Sequence, residues 1–223
     1  EMLVKGYADG LIEGCSGGGV RFDAGMLYYT AQIWCSDNTD ALDRVLIQYG
    51  TSFLYPVAAV GAHVSAVPNH QTGRGVSLHT RGVTAMAGAF GYELDPGELT
   101  DEERDEIRRQ IRQYKKHEEL IRKGDYFRLS DPFQDTYAAW QFTSKDKDRV
   151  LLNVVMLEVH GNMPVTYVKL RGLQGDMVYE DVDTGKRYYG SALMEAGMPM
   201  PMEPGEYLAW QVELTAKAKS RPV

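Results

Sequence analysis

Two short stretches of the sequence carry residue types that could do chemistry on a small ligand. The first is Glu13–Arg21, with the sequence EGCSGGGVR, in which three consecutive glycines stand together. Because glycine has no side chain, backbone N–H groups in such a stretch can approach a ligand closely, although a flexible connector has a similar composition. The stretch lacks the lysine of a phosphate loop and the spacing of a dinucleotide-binding turn, so a neutral, hydroxyl-rich ligand suits it better.

The second stretch surrounds Asp37, which follows Ile33–Ser36 and directly precedes a predicted helix. The carboxylate would stand at the carboxyl end of a strand, which is the catalytic face when parallel strands close into a barrel. An aspartate just ahead of a helix is most often its N-cap, but Asn38 and Thr39 can serve as caps too and would leave Asp37 available. We hypothesise that Asp37, beside Trp34, has the raised pKa that a general acid requires.

Other groups that could do chemistry have simpler structural explanations. Asp40 and Asp43 fall in the first turn of the predicted helix, where acidic side chains interact favourably with the helix dipole. Cys15 has no evident base nearby, which argues against a nucleophilic cysteine. The histidines are expected to be buried or in loops, and the methionines of a proline-rich segment are expected to serve packing or an interface. We expect no metal and no cofactor. These residues are His63, His70, His79, Met194, Met198, Met200 and Met202.

The composition of the chain excludes several classes of protein. Its 223 residues are 43% hydrophobic and 25% charged, and no apolar run approaches the ~20 residues that span a bilayer. The formal charge of −7, from 24 Lys plus Arg and 31 Asp plus Glu, argues against nucleic acid as a partner.

The cysteines and the first ten residues indicate where in the cell the protein is expected to occur. Cys15 and Cys35 have neither the number nor the spacing of a disulfide framework or a zinc site, which favours a reducing, cytoplasmic setting. The start, EMLVKGYADG, does not resemble a signal peptide, and we expect that it lies inside a larger domain.

The elements that would position these groups change their periodicity along the chain. In residues 1–124 short apolar segments alternate with helical ones, which is typical of parallel βα units. The predicted strands are Leu11–Ile12, Leu27–Trp34, Tyr55–Ala62 and Ala89–Leu94. The predicted helices run from after Asp37 to Gly50, over Leu78–Gly88, and from a Thr100/Glu103 capping box to Gly124.

The last of these helices has the clearest pattern. We predict one buried stripe and, on the opposite face, charged pairs at i,i+4 spacing in water. The stripe comprises Ile107, Ile111, Tyr114 and Ile121, and the pairs are Asp105 with Arg109 and Glu118 with Arg122.

Residues 125–223 follow a period of two, which predicts antiparallel strands. The strands are expected at Val150–Val159, at Val165–Leu170 and around Leu208–Thr215, with a hairpin turn at Asp183–Lys186. We therefore predict two domains, 1–124 and 125–223. Four βα units are too few for a barrel of eight, so either the first sheet is open or the chain begins halfway round a barrel.

Several clustered motifs of the chain closely resemble the bacterial α-galactosidases of glycoside hydrolase family 36. The resemblance covers nearly the whole chain. It implies an α/β part, the second half of a (β/α)8 barrel, followed by an all-β part, an antiparallel β-sandwich. The motifs are Glu13–Asp23, Gly25–Tyr29, Trp34–Ala41, Ile47–Ser52, Gly61–Asn69 and Arg81–Tyr92.

The resemblance also implies an activity and a site. It implies a retaining exo-hydrolase that removes terminal α-linked galactose from raffinose-type oligosaccharides and melibiose, often as a homo-tetramer. Asp37 matches the acid/base of the family, the proton donor to the leaving oxygen. Cys15, Gly17 and Gly18 match the loop that contacts galactose, and Arg21 lies in the same motif.

The sequence departs from the family pattern in one large respect. The nucleophile of the family lies in a Lys-Trp-Asp motif on an earlier strand, and neither that motif nor the aspartate pair for the far hydroxyls of the sugar occurs in this chain. We therefore expect no useful turnover by this polypeptide without the missing half of the barrel. The alternatives are a raffinose- or stachyose-synthase-like galactosyl transferase, a structural assembly module, and a galactoside-binding module without catalysis.

Overall fold

The computed structural model of the chain describes residues 6, 10, 12–15, 17, 22–162, 164–203 and 205–217. The chain forms two compact units, residues 1–114 and 115–223. Among the described residues, no helix is long and apolar enough to cross a membrane.

A four-stranded parallel sheet lies at the centre of the first unit, as the alternating pattern predicts. Its strands are β1 (Glu13–Gly14), β2 (Gln32–Trp34), β3 (Val60–Ser65) and β4 (Ala89–Glu93), which are hydrogen-bonded in that order. The helices are α1 (Ala24–Leu27), α2 (Ala41–Thr51), α3 (Leu78–Ala85) and α4 (Asp101–Lys123). Short 3-10 turns at Val57–Ala59 and Pro96–Glu98 complete the connections.

Three of the predicted strands differ from the observed ones. Leu27 ends α1 instead of opening a strand, because Asp23 caps that helix by accepting a hydrogen bond from the N–H of Met26 at 2.9 Å. Only Gln32–Trp34 of the predicted Leu27–Trp34 strand is therefore extended. Pro56 precedes a 3-10 turn, so β3 begins at Val60 and not near residue 55. The first strand is Glu13–Gly14, and Leu11 lies outside the described residues.

Strand β3 shows how alternation separates the two faces of this sheet. Val64 is fully buried and packs with Leu78 and Ala85 of α3. His63 precedes it in the strand, and its ring stacks on Trp34 of β2. Because successive side chains of a strand point to opposite faces, one face of the sheet carries the core and the other carries the ring stack.

Helix α4 begins with the predicted capping box. The hydroxyl of Thr100 accepts a hydrogen bond from the N–H of Glu103 at 3.2 Å, and the Glu103 carboxylate accepts one from the N–H of Thr100 at 2.9 Å. The helix ends at Lys123, directly before Gly124, as predicted. Of the predicted charged pairs, Glu118 with Arg122 forms at 3.5 Å, whereas Asp105 pairs with Arg108 instead of Arg109.

The predicted buried stripe of α4 differs from the structure at Ile111. Ile111 is 37% exposed, whereas the polar Gln110 and His117 are 3% and 1% exposed. Residues 110, 114, 117 and 121 are three or four apart and share a face, and Ile111 lies about 100° round the helix from Gln110. The amide of Gln110 donates to the carbonyl of Leu78 at 2.8 Å, which explains why a polar side chain is tolerated there.

The second unit is built on a six-stranded antiparallel sheet, which confirms the all-β part of the prediction. Its strands are β5 (Asp125–Arg128), β6 (Tyr137–Thr143), β7 (Arg149–Met156), β9 (Val178–Asp181), β10 (Arg187–Tyr189) and β12 (Ala209–Lys217), in the order β10-β9-β12-β7-β6-β5. The strands β8 (Tyr167–Val168) and β11 (Met198–Pro199) form a separate pair, and α5 (Gly190–Glu195) lies between β10 and β11 in the sequence. The predicted turn at residues 183–186 joins β9 to β10.

The core of this unit explains most of the methionines of the proline-rich segment. Met198 and Met200 are each 4% exposed and belong to the core, and Met194 packs against it. Met202 is 69% exposed and lies outside this core, so for Met202 only the predicted interface role stays open. The other residues of this cluster are aliphatic apart from Tyr179, and much of it comes from β7, with Val150, Leu152 and Val154 fully buried. Trp140 and Phe142 of β6 are also buried in this unit.

Candidate active site

Asp37 is not the N-cap of α2. That role belongs to Asp40, whose backbone is extended and whose Oδ1 accepts hydrogen bonds from the N–H groups of Leu42 at 2.9 Å and Asp43 at 3.3 Å. Asp40 therefore stands before the first turn, which corrects the role predicted for it, and Asp43 occupies the first turn as expected. The capping role considered for Asn38 and Thr39 is also wrong, because Asp40 satisfies these two donors.

Asp37 lies in the loop of residues 35–40, called the Asp37 loop below, between the carboxyl end of β2 and α2. Its neighbours are fixed by hydrogen bonds. The hydroxyl of Ser36 accepts from the N–H of Asn38 at 3.1 Å, and the side-chain amide of Asn38 donates to Asp43 at 2.7 Å. Asp37 is exposed and forms no hydrogen bond or ion pair with any residue the structure describes. The loop thus presents the Asp37 carboxylate on an anchored backbone, without a partner in the part of the chain that the structure describes.

A buried arginine supports this loop from below. Arg44 of α2 is 2% exposed; it donates to the carbonyl of Ser36 at 3.1 Å and to the carbonyl of Gly61. Its guanidinium carbon lies 4.3 Å from the centroid of the Trp34 ring. Burial lowers the pKa of Arg44, and the neighbouring Cys35 opposes that shift. The side chain thereby links Ser36 of the Asp37 loop to Gly61, the second residue of β3.

The ring of Trp34 also contacts His63. The two rings are stacked, with centroids 4.6 Å apart and planes 26° apart. Burial lowers the pKa of His63, whereas the carboxylates of Glu13 and Glu93 oppose this change, so the imidazole is neutral at pH 7. A β-carbon at Gly91 would lie 2.7 Å from the His63 ring, so that position has no room for a side chain unless the ring moves.

The predicted sugar-contacting residues are only partly described. Cys15 directly follows β1, is exposed and carries a free thiol. Gly17 has φ +63°, a left-handed conformation that favours glycine, and no atom of the described residues lies within 4 Å of the position of a β-carbon there. Gly18 and Arg21 lie outside the described residues.

Cys15 and Asp37 follow neighbouring strands, β1 and β2, which run parallel. The carboxyl ends of parallel strands meet at one edge of a sheet, so the structure brings these two predicted site residues to the same edge. Among the described residues, no group of three or more His, Cys, Asp or Glu side chains could hold a metal ion.

Sequence reasoning missed Arg44 and the contacts that Asp40 makes with a distant loop. The signal for Arg44 was present: residues 41, 44, 45 and 48 are the i, i+3, i+4 and i+7 positions of one helix face, and an arginine stands on it. No local signal linked Asp40 to Arg74, because the two residues are 34 positions apart in the sequence.

Two family models match the chain, one in each of its two parts. The family model Melibiase matches residues 1–124, and that of the glycosyl hydrolase family 36 C-terminal domain matches residues 137–214. The chain is 61% identical over 215 residues to the bifunctional α-galactosidase/sucrose kinase AgaSK of Mediterraneibacter gnavus, covering 96% of this chain and 23% of that protein. It is 47% identical over 206 residues to α-galactosidase AgaA of Geobacillus stearothermophilus, covering 92% of this chain and 28% of AgaA.

Solved structures of both relatives also match the fold of the chain. The galactosidase domain of AgaSK matches with a TM-score of 0.95 at 60% identity, covering 97% of this chain and 30% of that one. A variant of AgaA from Geobacillus stearothermophilus in complex with raffinose matches with a TM-score of 0.93 at 44% identity, covering 96% of this chain and 30% of that one.

These matches show the family and the fold of the chain. They confirm the predicted fold class, the second half of a (β/α)8 barrel followed by an antiparallel β-sandwich. The chain spans only about a quarter of the length of the curated relatives it matches, 23% and 28% for the two named above. Because the Melibiase family model matches more than half of its residues, the chain belongs to the melibiase family, with a carboxy-terminal domain of the glycosyl hydrolase family 36 type.

Proposed function

We propose that this chain supplies the acid/base side of the active site of an α-galactosidase. In the complete protein, Asp37 protonates the glycosidic oxygen of the departing sugar. The observation that carries this proposal is the exposed carboxylate of Asp37, which makes no bond with the described residues and stands on an anchored loop at the carboxyl end of a parallel strand. Membership of the melibiase family supports it, as does the naming of the relatives as α-galactosidases.

The chemistry is that of a retaining glycosidase. Such enzymes use two carboxyl groups about 5–5.5 Å apart, one as nucleophile and one as acid/base. Asp37 gives its proton to the leaving oxygen while the nucleophile, supplied by another part of the protein, forms the galactosyl-enzyme. Asp37 then takes a proton from the water that hydrolyses this intermediate. Without the nucleophile, the 223-residue chain alone does not turn over substrate.

The substrate we propose is a terminal α-linked galactoside of the raffinose type. The complex of the AgaA variant with raffinose supports this choice. Cys15 and Gly17, together with Gly18 and Arg21, would contact the galactose, since Cys15 and Asp37 follow adjacent parallel strands. An exposed thiol and a backbone without side chains suit close contact with sugar hydroxyls.

Three further features belong to the same proposal. The catalytic part covers residues 1–124 and the carboxy-terminal domain covers 125–223; the end of α4 at Lys123 supports this division. The complete protein is a cytoplasmic homo-tetramer, which the resemblance to bacterial family 36 enzymes supports. The free thiols of Cys15 and Cys35 suit a reducing compartment.

The test uses the complete protein with Asp37→Ala, and with Asp101→Ala as a control at an exposed aspartate of α4. Asp37→Ala should lower kcat/KM for raffinose by roughly two orders of magnitude or more, whereas Asp101→Ala should leave it unchanged. With an activated aryl α-galactoside and added azide, Asp37→Ala should form α-galactosyl azide, because azide needs no base and attacks from the side that Asp37 serves. Undiminished hydrolysis of raffinose by Asp37→Ala would refute the proposal.

A further inference from the structure

The carboxylate of Asp40 is held from two sides. Its Oδ1 caps α2, as described above, and is also paired with the guanidinium of Arg74. Its Oδ2 accepts a hydrogen bond from the hydroxyl of Thr72 at 2.6 Å. The same Nη1 atom of Arg74 lies 3.3 Å from the carboxylate of Asp43. The Asp40 side chain is 1% exposed and that of Arg74 is 31% exposed, so the pair is shielded mainly on the side of the aspartate.

Arg74 and Thr72 belong to the connection between β3 and α3, residues 66–77, called the β3–α3 loop below. This loop is itself rigidly built around Asn69, which is 5% exposed. The side-chain oxygen of Asn69 accepts hydrogen bonds from the N–H groups of Gln71 at 2.9 Å and Thr72 at 3.0 Å. Its amide donates to the hydroxyl of Thr39 at 3.1 Å, so the β3–α3 loop contacts the Asp37 loop at a second point.

These contacts bracket Asp37. Thr39 and Asp40, two and three residues after Asp37, are bound to the β3–α3 loop, and Ser36, immediately before it, is bound to Arg44. The backbone of Asp37 therefore has little freedom, although its own side chain makes no bond with the described residues. A proton donor must lie within hydrogen-bond reach of the leaving oxygen, and a displacement of about 1 Å can cost about 100-fold in rate.

We infer that Arg74 is a positioning residue: through its ion pair with Asp40 it holds the Asp37 loop so that the Asp37 carboxyl meets the glycosidic oxygen. The inference rests on the function proposed above, in which Asp37 is the acid. Arg74 does not touch the substrate in this role. It acts on the first bond-breaking step, in which the C–O bond of the glycoside breaks and the proton of Asp37 passes to the leaving oxygen.

The electrostatics of the pair agree with this assignment. Burial on its own raises the pKa of Asp40, but hydrogen bonds from Thr72, from the N–H groups of Asp43 and Leu42 and from Arg74 outweigh burial and lower that pKa. Asp40 is thus ionised at neutral pH and remains a permanent partner for Arg74. Asp43, the other acid that faces Arg74, adds to the attraction.

The distinguishing measurement is the dependence of kcat/KM on the leaving group, made on the complete protein. Hydrolysis of raffinose needs a proton for its poor leaving group. The dinitrophenolate of 2,4-dinitrophenyl α-galactoside, in contrast, leaves with little help from an acid. Arg74→Met should lower kcat/KM for raffinose about 10- to 100-fold and that for the dinitrophenyl substrate less than about threefold. Arg74→Lys, which keeps one cation near Asp40, should recover most of the loss on raffinose.

Two further variants serve as control and reserve. Arg104→Met removes an arginine of the same unit whose partner is the exposed Asp101, and it should leave both rates unchanged. Thr72→Val replaces with a methyl group the hydroxyl that donates to Asp40 and accepts from the N–H of Arg74, and it should show the same selectivity with a smaller loss. It keeps the test decisive if Arg74→Met does not fold.

Each outcome decides between the two proposals. Equal losses on both substrates in Arg74→Met and Thr72→Val, with a lower Tm, would reduce Arg74 to a structural role and overturn the inference. A selective loss in Asp37→Ala without one in Arg74→Met would overturn the inference and leave the proposed function standing. No selective loss in Asp37→Ala itself would overturn the proposed function and the inference with it.

Discussion

The Nε2 atom of His117 lies 3.6 Å from the carboxylate of Glu213, and the histidine side chain is 1% exposed. Its other ring nitrogen, Nδ1, is buried without a hydrogen-bond partner among the described residues. Burial lowers the pKa of His117 to about 4; Glu213 works against this shift, and the nearby cations Lys116 and Arg149 add to it. Helix α4 and strand β12 of the second unit therefore meet around a neutral imidazole.

His117 should make stability depend on pH in the mildly acidic range. The unfolded chain takes up this proton near pH 6.5, whereas the folded chain takes it up only near pH 4. Between these values the unfolded state binds more protons, so the free energy of unfolding falls as the pH falls, and the loss is complete below about pH 4. At about 1.4 kcal/mol per pH unit, the loss amounts to about 3 kcal/mol.

Urea unfolding of the chain at about pH 7.5 and about pH 4 tests this expectation. His117→Gln has no titrating group and should lose about 2–3 kcal/mol less than the parent chain between the two pH values. His160→Gln is the control, because His160 is 64% exposed in the same unit. If His117→Gln and the parent lost equal stability between the two pH values, His117 would take up its proton as readily in the folded state as in the unfolded state.

The capping box of α4 should contribute measurably to stability. Thr100→Ala removes the hydroxyl that accepts from Glu103 and should cost about 1 kcal/mol of the free energy of unfolding. Glu103→Ala should cost a similar amount, because the N–H of Thr100 loses its partner. Glu102→Ala is the matched control, since it removes the same charge from the same turn outside the box. If Glu102→Ala and Glu103→Ala lowered the free energy of unfolding equally, only the interaction of these charges with the helix dipole would be involved, and the capping box would contribute nothing.

Two glycines should respond oppositely to alanine. A β-carbon at Gly190 would lie 2.1 Å from the carbonyl oxygen of Gln174, so Gly190→Ala forces the backbone apart and should cost about 1–3 kcal/mol. Gly50 lies in the last turn of α2 with nothing within 4 Å of such a carbon. Gly50→Ala should stabilise by up to about 1 kcal/mol, because alanine loses less backbone entropy in a helix. Denaturant melts of both variants give the two signs directly.

The elements that sequence reasoning predicted correctly carry their signals locally. Helix α4 has a capping box at one end and Gly124 after the other, and both lie within one or two turns of the residues they control. Strand β4 and helix α3 likewise lie within the ranges predicted for them. The prediction of the short strand β2 was wrong in its length. An apolar run from Leu27 to Trp34 does not reveal that Asp23 caps a helix that ends at Leu27.

The candidate site was predictable only in part, for a related reason. Asp37 could be chosen because it follows a strand and precedes a helix. Which residue among positions 37–40 caps that helix depends on the partners of Asp40, and its ion-pair partner Arg74 lies 34 residues further along the chain. A local pattern cannot carry that information, so the roles of Asp40 and Arg74 became visible only in three dimensions.

The two aspartates of the Asp37 loop provide the last prediction, in which stability and activity separate. Asp37→Asn removes a charge that is exposed and makes no bond with the described residues, so the free energy of unfolding should change by less than about 0.5 kcal/mol. Asp40→Asn removes the buried charge that pairs with the partly exposed Arg74, whereas its amide oxygen still caps α2, so the variant should cost about 2 kcal/mol. Urea melts of both variants at about pH 7 measure the contrast.

The pH dependence of the same pair provides an independent check. Because the pKa of Asp40 is lower in the folded state than its ordinary value of 3.8, its contribution is fully present above that value and is lost as the pH falls through the folded pKa. The difference in the free energy of unfolding between the parent chain and Asp40→Asn should therefore be constant near neutrality and should shrink below about pH 4.

The comparison of the two variants near pH 7 has one contradicting outcome. If Asp37→Asn lost as much stability as Asp40→Asn, Asp37 would have a structural partner, and the main support for Asp37 as the acid would be removed.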